Sequence, residues 1–388
     1  MTFSRYRRLG LALLVGLPVF AGPRSEPLQA QDKAIQLGSS SSDQSLQDLT
    51  GEDEHPLQVT GFGVGDYSYD QRSGDNTAEA GKLAVAFFRE ISDRFWFFGQ
   101  LTTALSTENG VSAGEEVPTQ IEIDNLLVNF TPGGASGLSL SFGKFDVPVG
   151  FERDDEPLNF QATPSYNFEL ARPSKMVGAV GRWAMSPTLD LTAMVGNGWD
   201  AQVDANKQKT GGLRLGFIPT EHTSFGLSAM TGGEGNPGSV HQRYLLSADY
   251  AVEPTPEWIV AGEANFGGEQ HVLPGGSTAN WSGATLTLFR RLSEHVGATL
   301  RGETFHDPDG VRSGTSQTLS SLTLSPVYFV GTGREGIFAN VEHTTFRIPR
   351  LQIRTEARLD HSSEPIFGSA AAPRHWRVRY TLQLVTTF

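Results

Sequence analysis

Ten charged residues recur at alternate positions of mixed apolar and polar segments: Arg214, Asp249, Glu263, Arg301, Glu303, Arg354, Glu356, Arg358, Arg377 and Arg379. In an extended strand such spacing puts charges on one side and apolar neighbours on the other. Facing rows of opposite charge around water set a transverse field, which sorts ions by sign. Arg354, Arg358, Arg377 and Arg379 crowd the last part of the chain and would attract anions locally despite a formal net charge of −13. The same charges would also serve as cross-strand ion pairs that stiffen a wall. Both roles can hold together. A second charged group lies in one long loop, 151–175, where Glu152, Asp154, Asp155, Glu156 and Glu169 stand beside Arg153, Arg172 and Lys175. Pro157, Pro164 and Pro173 favour a fixed shape for it. Folded inward, this loop would be a charged constriction. Left outside, it would be an ordinary solvated loop.

Other chemistries find little support. The nine histidines show neither HExxH nor HxxxH spacing, so no metal site is expected. The chain has no Cys, which excludes a disulfide framework and cysteine-based redox or metal sites. No phosphate-binding Gly-x-x-x-x-Gly-Lys-Ser/Thr loop occurs. Gly110-Val111-Ser112-Ala113-Gly114 matches the Gly-x-Ser-x-Gly pattern. It sits in a polar loop, however, whereas a nucleophile elbow needs a strand before it and a helix after it. Overall acidity argues against nucleic acid as a partner, because phosphate recognition requires a basic face. No cofactor is implied.

The elements that must position the charges have a period of two. Leu189, Leu191, Ala193 and Val195 alternate with Asp190, Thr192 and Met194, and Leu351, Ile353, Thr355, Ala357 and Leu359 with Gln352, Arg354, Glu356, Arg358 and Asp360. Similar alternation covers 213–217, 260–266 and 284–288. This is a sheet with one apolar and one polar face. A soluble sandwich would turn the polar face outward, whereas a barrel in lipid turns it inward around water. The connections favour the barrel. Short turns at 92–94, 186–188, 219–222, 291–294 and 347–350 alternate with longer polar loops at 70–81, 106–118, 147–175, 198–209, 232–242, 267–280, 307–314 and 361–374. Tight turns on one side and long loops on the other is the arrangement of outer-membrane barrels. Trp96, Trp183, Trp258, Trp281 and Trp376 are expected at the membrane interfaces.

The pattern gives about 17 candidate segments, with 317–346 ambiguous. A single-chain barrel of this kind needs an even number, so we expect an all-β, transmembrane antiparallel barrel of about 16 strands. That size leaves an aqueous lumen. Ahead of it, Arg5, Arg7 and Arg8 precede an apolar run at 9–20. Residues 1–30 read as a secretory signal peptide, cleaved after 21 or after 30. The Ser-, Asp- and Glu-rich stretch 31–56 reads as a disordered periplasmic tail. The barrel is expected over 57–388. With 38% hydrophobic residues, 44 Gly and 24 Phe, the chain suits strands that are apolar at alternate positions only.

The segment Ser141-Phe142-Gly143-Lys144-Phe145-Asp146-Val147-Pro148-Val149-Gly150, the strand end Asn197-Gly198-Trp199-Asp200 and the ending Leu382-Gln383-Leu384-Val385-Thr386-Thr387-Phe388 resemble the OmpL-like outer-membrane β-barrel porin family. The Gly-Lys-Phe…Pro-Gly element is more distantly similar to phosphate-selective porins. The terminal Phe388 looks like the signature read by the barrel-assembly machinery. The resemblance implies a pore in the bacterial outer membrane for passive diffusion of small hydrophilic solutes, and no catalytic residues. By analogy with trimeric porins, the third outer loop would fold inward and the chain would form a homotrimer. Outer-membrane lipid would surround it. The alternative is an outer-membrane barrel with enzymatic or adhesive loops, with Ser112, or His306 and Asp307 at a rim, as the groups to examine.

Overall fold

A computed structural model describes residues 55–105, 119–132, 137–331, 344–369 and 371–388. Among them sixteen strands form one closed antiparallel barrel, each paired with its neighbours in sequence. They are β1 Gln58–Asp70, β2 Asn76–Ser92, β3 Phe95–Leu105, β4 Thr119–Phe130, β5 Leu138–Asp146, β6 Lys175–Ala184, β7 Leu189–Gly196 and β8 Thr210–Thr220. The second half comprises β9 Thr223–Asn236, β10 Ser239–Thr255, β11 Trp258–Glu269, β12 Ala279–Arg291, β13 Val296–Asp307, β14 Gln317–Val330, β15 Leu351–Ser362 and β16 Trp376–Thr387. Closure comes from β1 against β16, in a register running from Phe62↔Thr387 to Asp70↔Arg379. The last residue extends it: Gly61 and Phe388 exchange both backbone hydrogen bonds at 2.9 Å. A Cβ on Gly61 would lie 2.6 Å from the Phe388 ring, so the close approach needs glycine.

The alternation sorts as expected. On β16, Tyr380, Leu382 and Leu384 are 43–49% exposed on the outside, while Thr381, Gln383, Val385 and Thr387 are buried inside. The outside thus carries leucines and aromatics on nearly every strand, among them Leu213, Leu227, Leu246, Leu286, Leu322 and Leu359. Each such side chain gains about 1.5–3 kcal/mol on leaving water for hydrocarbon. Closure pairs every strand edge, which an apolar bilayer demands.

The ambiguity over 317–346 resolves as the even strand number requires: among the described residues that region holds one crossing strand, β14, and the segment after it leads to β15. Three expectations need correction. The supposed short turn at 347–350 is the end of that segment. Strand pairing also extends beyond the polar loops drawn from sequence. The 70–81 loop shrinks to a turn at 71–75, and 232–242 shrinks to Pro237-Gly238 between β9 and β10. Polar residues pair there because strands that rise above the membrane need no apolar row. Finally, Trp183, Trp258 and Trp376 lie on the outer surface, but Trp96 and Trp281 point inward and are at most 4% exposed. Residues 1–54, and so the expected signal peptide and most of the tail, lie outside the described residues, as does Ser112.

Candidate functional site

The connection from β5 to β6, residues 147–174, runs inside the barrel. Gly150, at φ 78°, begins the turn inward, and a Cβ there would lie 2.3 Å from a Glu263 carboxylate oxygen. From that point the loop is bound to the far wall. The Phe151 amide donates to Glu263 at 2.8 Å, the Tyr166 amide to Glu303 at 2.6 Å and the Ala162 amide to Glu356 at 2.9 Å. Arginines of the wall take the loop's carbonyls. Arg354 donates to the carbonyls of Gln161 at 2.8 Å, Glu156 at 2.9 Å and Asn159 at 2.7 Å, and also to Gln352 and Gln383. Arg301 donates to the carbonyl of Thr163 at 2.8 Å and that of Pro164 at 3.2 Å. Arg358 reaches the Pro164 carbonyl and lies 4.5 Å from the Tyr166 ring centre. The Trp281 Nε1–H donates to Ala171 at 2.9 Å, which explains why this tryptophan turned inward.

Loop charges are satisfied on the way. Glu152 accepts from the Ser165 amide at 2.9 Å and from Arg301 at 3.2 Å, while Arg172 pairs with Glu263 at 3.3 Å. Arg153 donates to the Gly150 carbonyl at 2.9 Å. Glu169 stays exposed, in the field of Arg358 and Arg379. Burial raises the Glu152 carboxyl above its usual range, with Arg301 opposing that rise.

A second knot ties the loop's near end to β2–β6. Lys175 is bound by Asp146, by Asp124 at 2.9 Å and by Asp154 at 3.3 Å. Lys82 reaches Glu156 at 3.3 Å and Asp154 at 3.8 Å. Gln100 donates to Asp155 at 2.7 Å. Burial would raise Asp154, but Lys82 and Lys175 win and hold it down at about 2. Its neighbour behaves oppositely: burial pushes Asp155 up to about 8, against Lys82 and with the help of Asp124 and Asp146.

The remaining wall residues pair among themselves. Arg214 and Asp249 form a two-pronged bridge, with Nη2 to Oδ1 at 2.8 Å. Gly226 leaves room for it, since a Cβ there would lie 2.1 Å from the guanidinium. Nearer the outer mouth, Asp360 serves three arginines: Arg358 at 2.7 Å, Arg377 at 2.9 Å and Arg379 at 3.4 Å. All ten wall residues singled out in the sequence therefore point inward, and six of them touch the inward loop.

Sequence reasoning missed the floor of this arrangement. Toward the β1 start of the barrel the inner face turns apolar, with Phe88, Trp96, Ile259, Phe289, Val327, Phe329 and Val385 all buried. Phe160, from the loop, stacks on Phe289 at 4.4 Å and meets Phe346 at 5.4 Å. Phe346 belongs to the β14–β15 connection, so this segment also enters the barrel, from the opposite end. Its anchor is Glu253, which accepts from the backbone amide and the hydroxyl of Thr345, and from His222 Nδ1 at 2.9 Å. An inward aromatic at an alternate position looks the same in sequence as an outward one. Asp360, Asp124 and Asp146 were also passed over: Asp360 follows Arg358 on the same side of its strand, whereas Asp124 and Asp146 meet Lys175 only in the fold.

The match to known proteins agrees with this build. Residues 98–388 match the family model described as "Putative beta-barrel porin-2, OmpL-like". The chain belongs to this porin family. No curated protein matches it. Among solved structures the porin is similar to an anion-selective porin from Comamonas acidovorans, with TM-score 0.60 at 9% identity over 86% of this chain and 100% of the other. It is also similar to OmpT, an outer-membrane protein of Vibrio cholerae, with TM-score 0.59 at 9% identity over 87% and 99% of the two chains. A trimer form of OmpT matches with TM-score 0.55 at 9% identity over 87% and 100%. At such identity these structures share the fold. Family and fold together make the protein an outer-membrane porin, a channel for passive diffusion.

Proposed function

We propose that the inward loop, 147–174, is the constriction of this pore and that small hydrophilic solutes and ions pass beside it. The observation that carries this reading is the row of hydrogen bonds that Arg301, Arg354 and Arg358 donate to loop carbonyls and that Glu263, Glu303 and Glu356 accept from loop amides. A loop bound at so many backbone groups keeps one shape and so fixes an aperture. Arg301, Arg354 and Arg358 act first as latches, since most of their donors go to loop carbonyls and to neighbouring side-chain oxygens. Ion preference falls to the outer mouth, where Arg377 and Arg379 share Asp360 and remain partly exposed. Three arginines around one carboxylate favour anions. Planar-bilayer recordings of refolded protein test the reading. Ion current is expected; a barrel shown folded by circular dichroism yet carrying no current would reject it.

The reading includes no catalysis. His306 Nδ1 lies 2.8 Å from Thr318 Oγ1, and Asp307 accepts from the amides of Val311, Arg312 and Ser313. These rim groups thus shape the β13–β14 loop. A homotrimer is the assembly this reading expects, supported by the trimer form of a structural relative. Cross-linking in detergent tests it.

A further inference from the structure

The lumen is crossed at a second level, at the end with the tight turns, which is the periplasmic end in barrels of this kind. There residues 344–350 bridge two distant strands. Thr345 is held at β10, where Glu253 accepts from its amide and from its hydroxyl, the latter at 2.8 Å. Further along, the Arg350 carbonyl accepts from the Thr387 amide of β16 at 2.8 Å, and the Pro349 carbonyl from the Thr387 hydroxyl at 3.4 Å.

β10 and β16 stand six strand spacings apart around the wall. At about 4.8 Å each, that is about 29 Å. The backbone from Thr345 to Pro349 reaches about 14 Å at most. The stretch therefore takes the chord across the opening, and the side chains of Glu253 and Thr387 lean in to meet it.

Its apolar side chains fill that chord. Ile348 is fully buried and Phe346 is 6% exposed. Phe346 meets Phe289 of β12 at 5.2 Å and Phe329 of β14 at 5.5 Å, both on the inner face, and Phe160 of the inward loop at 5.4 Å. The Arg291 guanidinium lies over the Phe346 ring at 4.8 Å. Two segments that enter from opposite ends thus touch through Phe160 and Phe346. The Thr344 hydroxyl accepts from the Phe346 amide at 3.2 Å, a local turn that aims the ring inward. Glu253 also accepts from His222 Nδ1 at 2.9 Å, so one buried carboxylate ties together β10, the β8–β9 turn and the crossing stretch. A narrow place lined by apolar rings admits water and ions poorly, and what passes must go beside it.

We propose that residues 344–350 are a second constriction of the pore, which sets the largest solute that leaves at the periplasmic end, and that Glu253 is the positioning residue that keeps them across the lumen. The inference rests on the reading of the barrel as a diffusion pore. The test uses full-length porin in liposomes, with swelling rates in a monosaccharide and in a trisaccharide, and single-channel conductance in parallel. The wild type should admit the monosaccharide at least tenfold faster than the trisaccharide. Glu253→Ala should cut that ratio at least threefold and raise the conductance, and Phe346→Ala should act in the same direction. Glu253→Gln, which keeps a carbonyl oxygen to accept from Thr345, should stay closer to the wild type. The heat-modifiable gel shift identifies the folded variants. An unchanged ratio in either folded alanine variant would overturn the proposal. So would a lower ratio accompanied by new protease cleavage within 151–175, because the other constriction would then have set the limit. A folded wild type that carries no current would instead overturn the pore reading, and this inference with it.

Discussion

The inward loop is held in two ways at two levels of the same barrel. Toward the outer mouth, Arg301, Arg354, Arg358, Glu303 and Glu356 grip its backbone through hydrogen bonds. Toward the other end, Phe160 rests in a nest of Phe289, Phe329 and Phe346. Hydrogen bonds are directional and costly to leave half-made, because an unpaired buried group keeps its full desolvation penalty. Apolar contact is broad and tolerates a change of shape. The polar level therefore fixes where the loop lies, and the aromatic level keeps water from beneath it.

That contrast makes mutations at the two levels unequal. Arg354→Ala should have the largest effect, loosening the loop by about 3–5 kcal/mol, because three buried loop carbonyls lose their donor at about 1–3 kcal/mol each. Protease cleavage within 151–175 and a higher single-channel conductance would register it; unchanged conductance and protection would break the contrast.

A change of pH comes next. Asp155 is buried among Gln100, Lys82, Lys175, Asp124, Asp146 and Asp154, and its carboxyl is pushed from 3.8 up to about 8. Because the inward state favours the proton, its stability is full below 3.8 and is lost as the pH rises through about 8. Each pH unit in that window costs the docked near end about 1.4 kcal/mol. Conductance should rise between pH 6 and 9 in the wild type and stay level in Asp155→Asn. A flat wild-type profile would mean that Asp155 does not govern docking.

Phe160→Leu should be milder, about 1–1.5 kcal/mol, because volume is nearly kept and only the ring contacts go. A loss as large as that of Arg354→Ala would erase the distinction between the levels. The smallest change in stability belongs to Arg377→Gln with Arg379→Gln, about 1 kcal/mol, since both side chains are partly exposed and Arg358 still pairs with Asp360. Its signature is a reversal potential in a salt gradient that moves toward cations; an unmoved potential would remove the outer mouth as the selective element.

Much of this was legible in the alternation. The barrel, its strand number and the inward aim of all ten wall charges follow from a period of two and from turns that alternate short and long. What those charges bind was not legible. Arg354 reads as a free charge on a polar face, yet its partners are carbonyls about 190–200 residues away, and backbone carbonyls carry no sequence signal. Phe289 and Phe329 were hidden for another reason. They occupy inward positions that a uniform polar lumen would give to polar side chains, and only the arrival of Phe160 and Phe346 makes them apolar. The β14–β15 connection was misread because its apolar residues, Phe346 and Ile348, are buried inside the barrel and mimic part of a strand.

The central claim is that residues 147–174 lie in the path of the current. The chain has no Cys, so a single Asp154→Cys provides one clean target for a charged, membrane-impermeant thiol reagent during bilayer recording. Modification should lower the current in discrete steps by a third or more, while the same reagent at an outer-loop His271→Cys leaves it alone. Complete labelling of the Asp154→Cys protein with no change in current would place the loop outside the pathway and contradict the account.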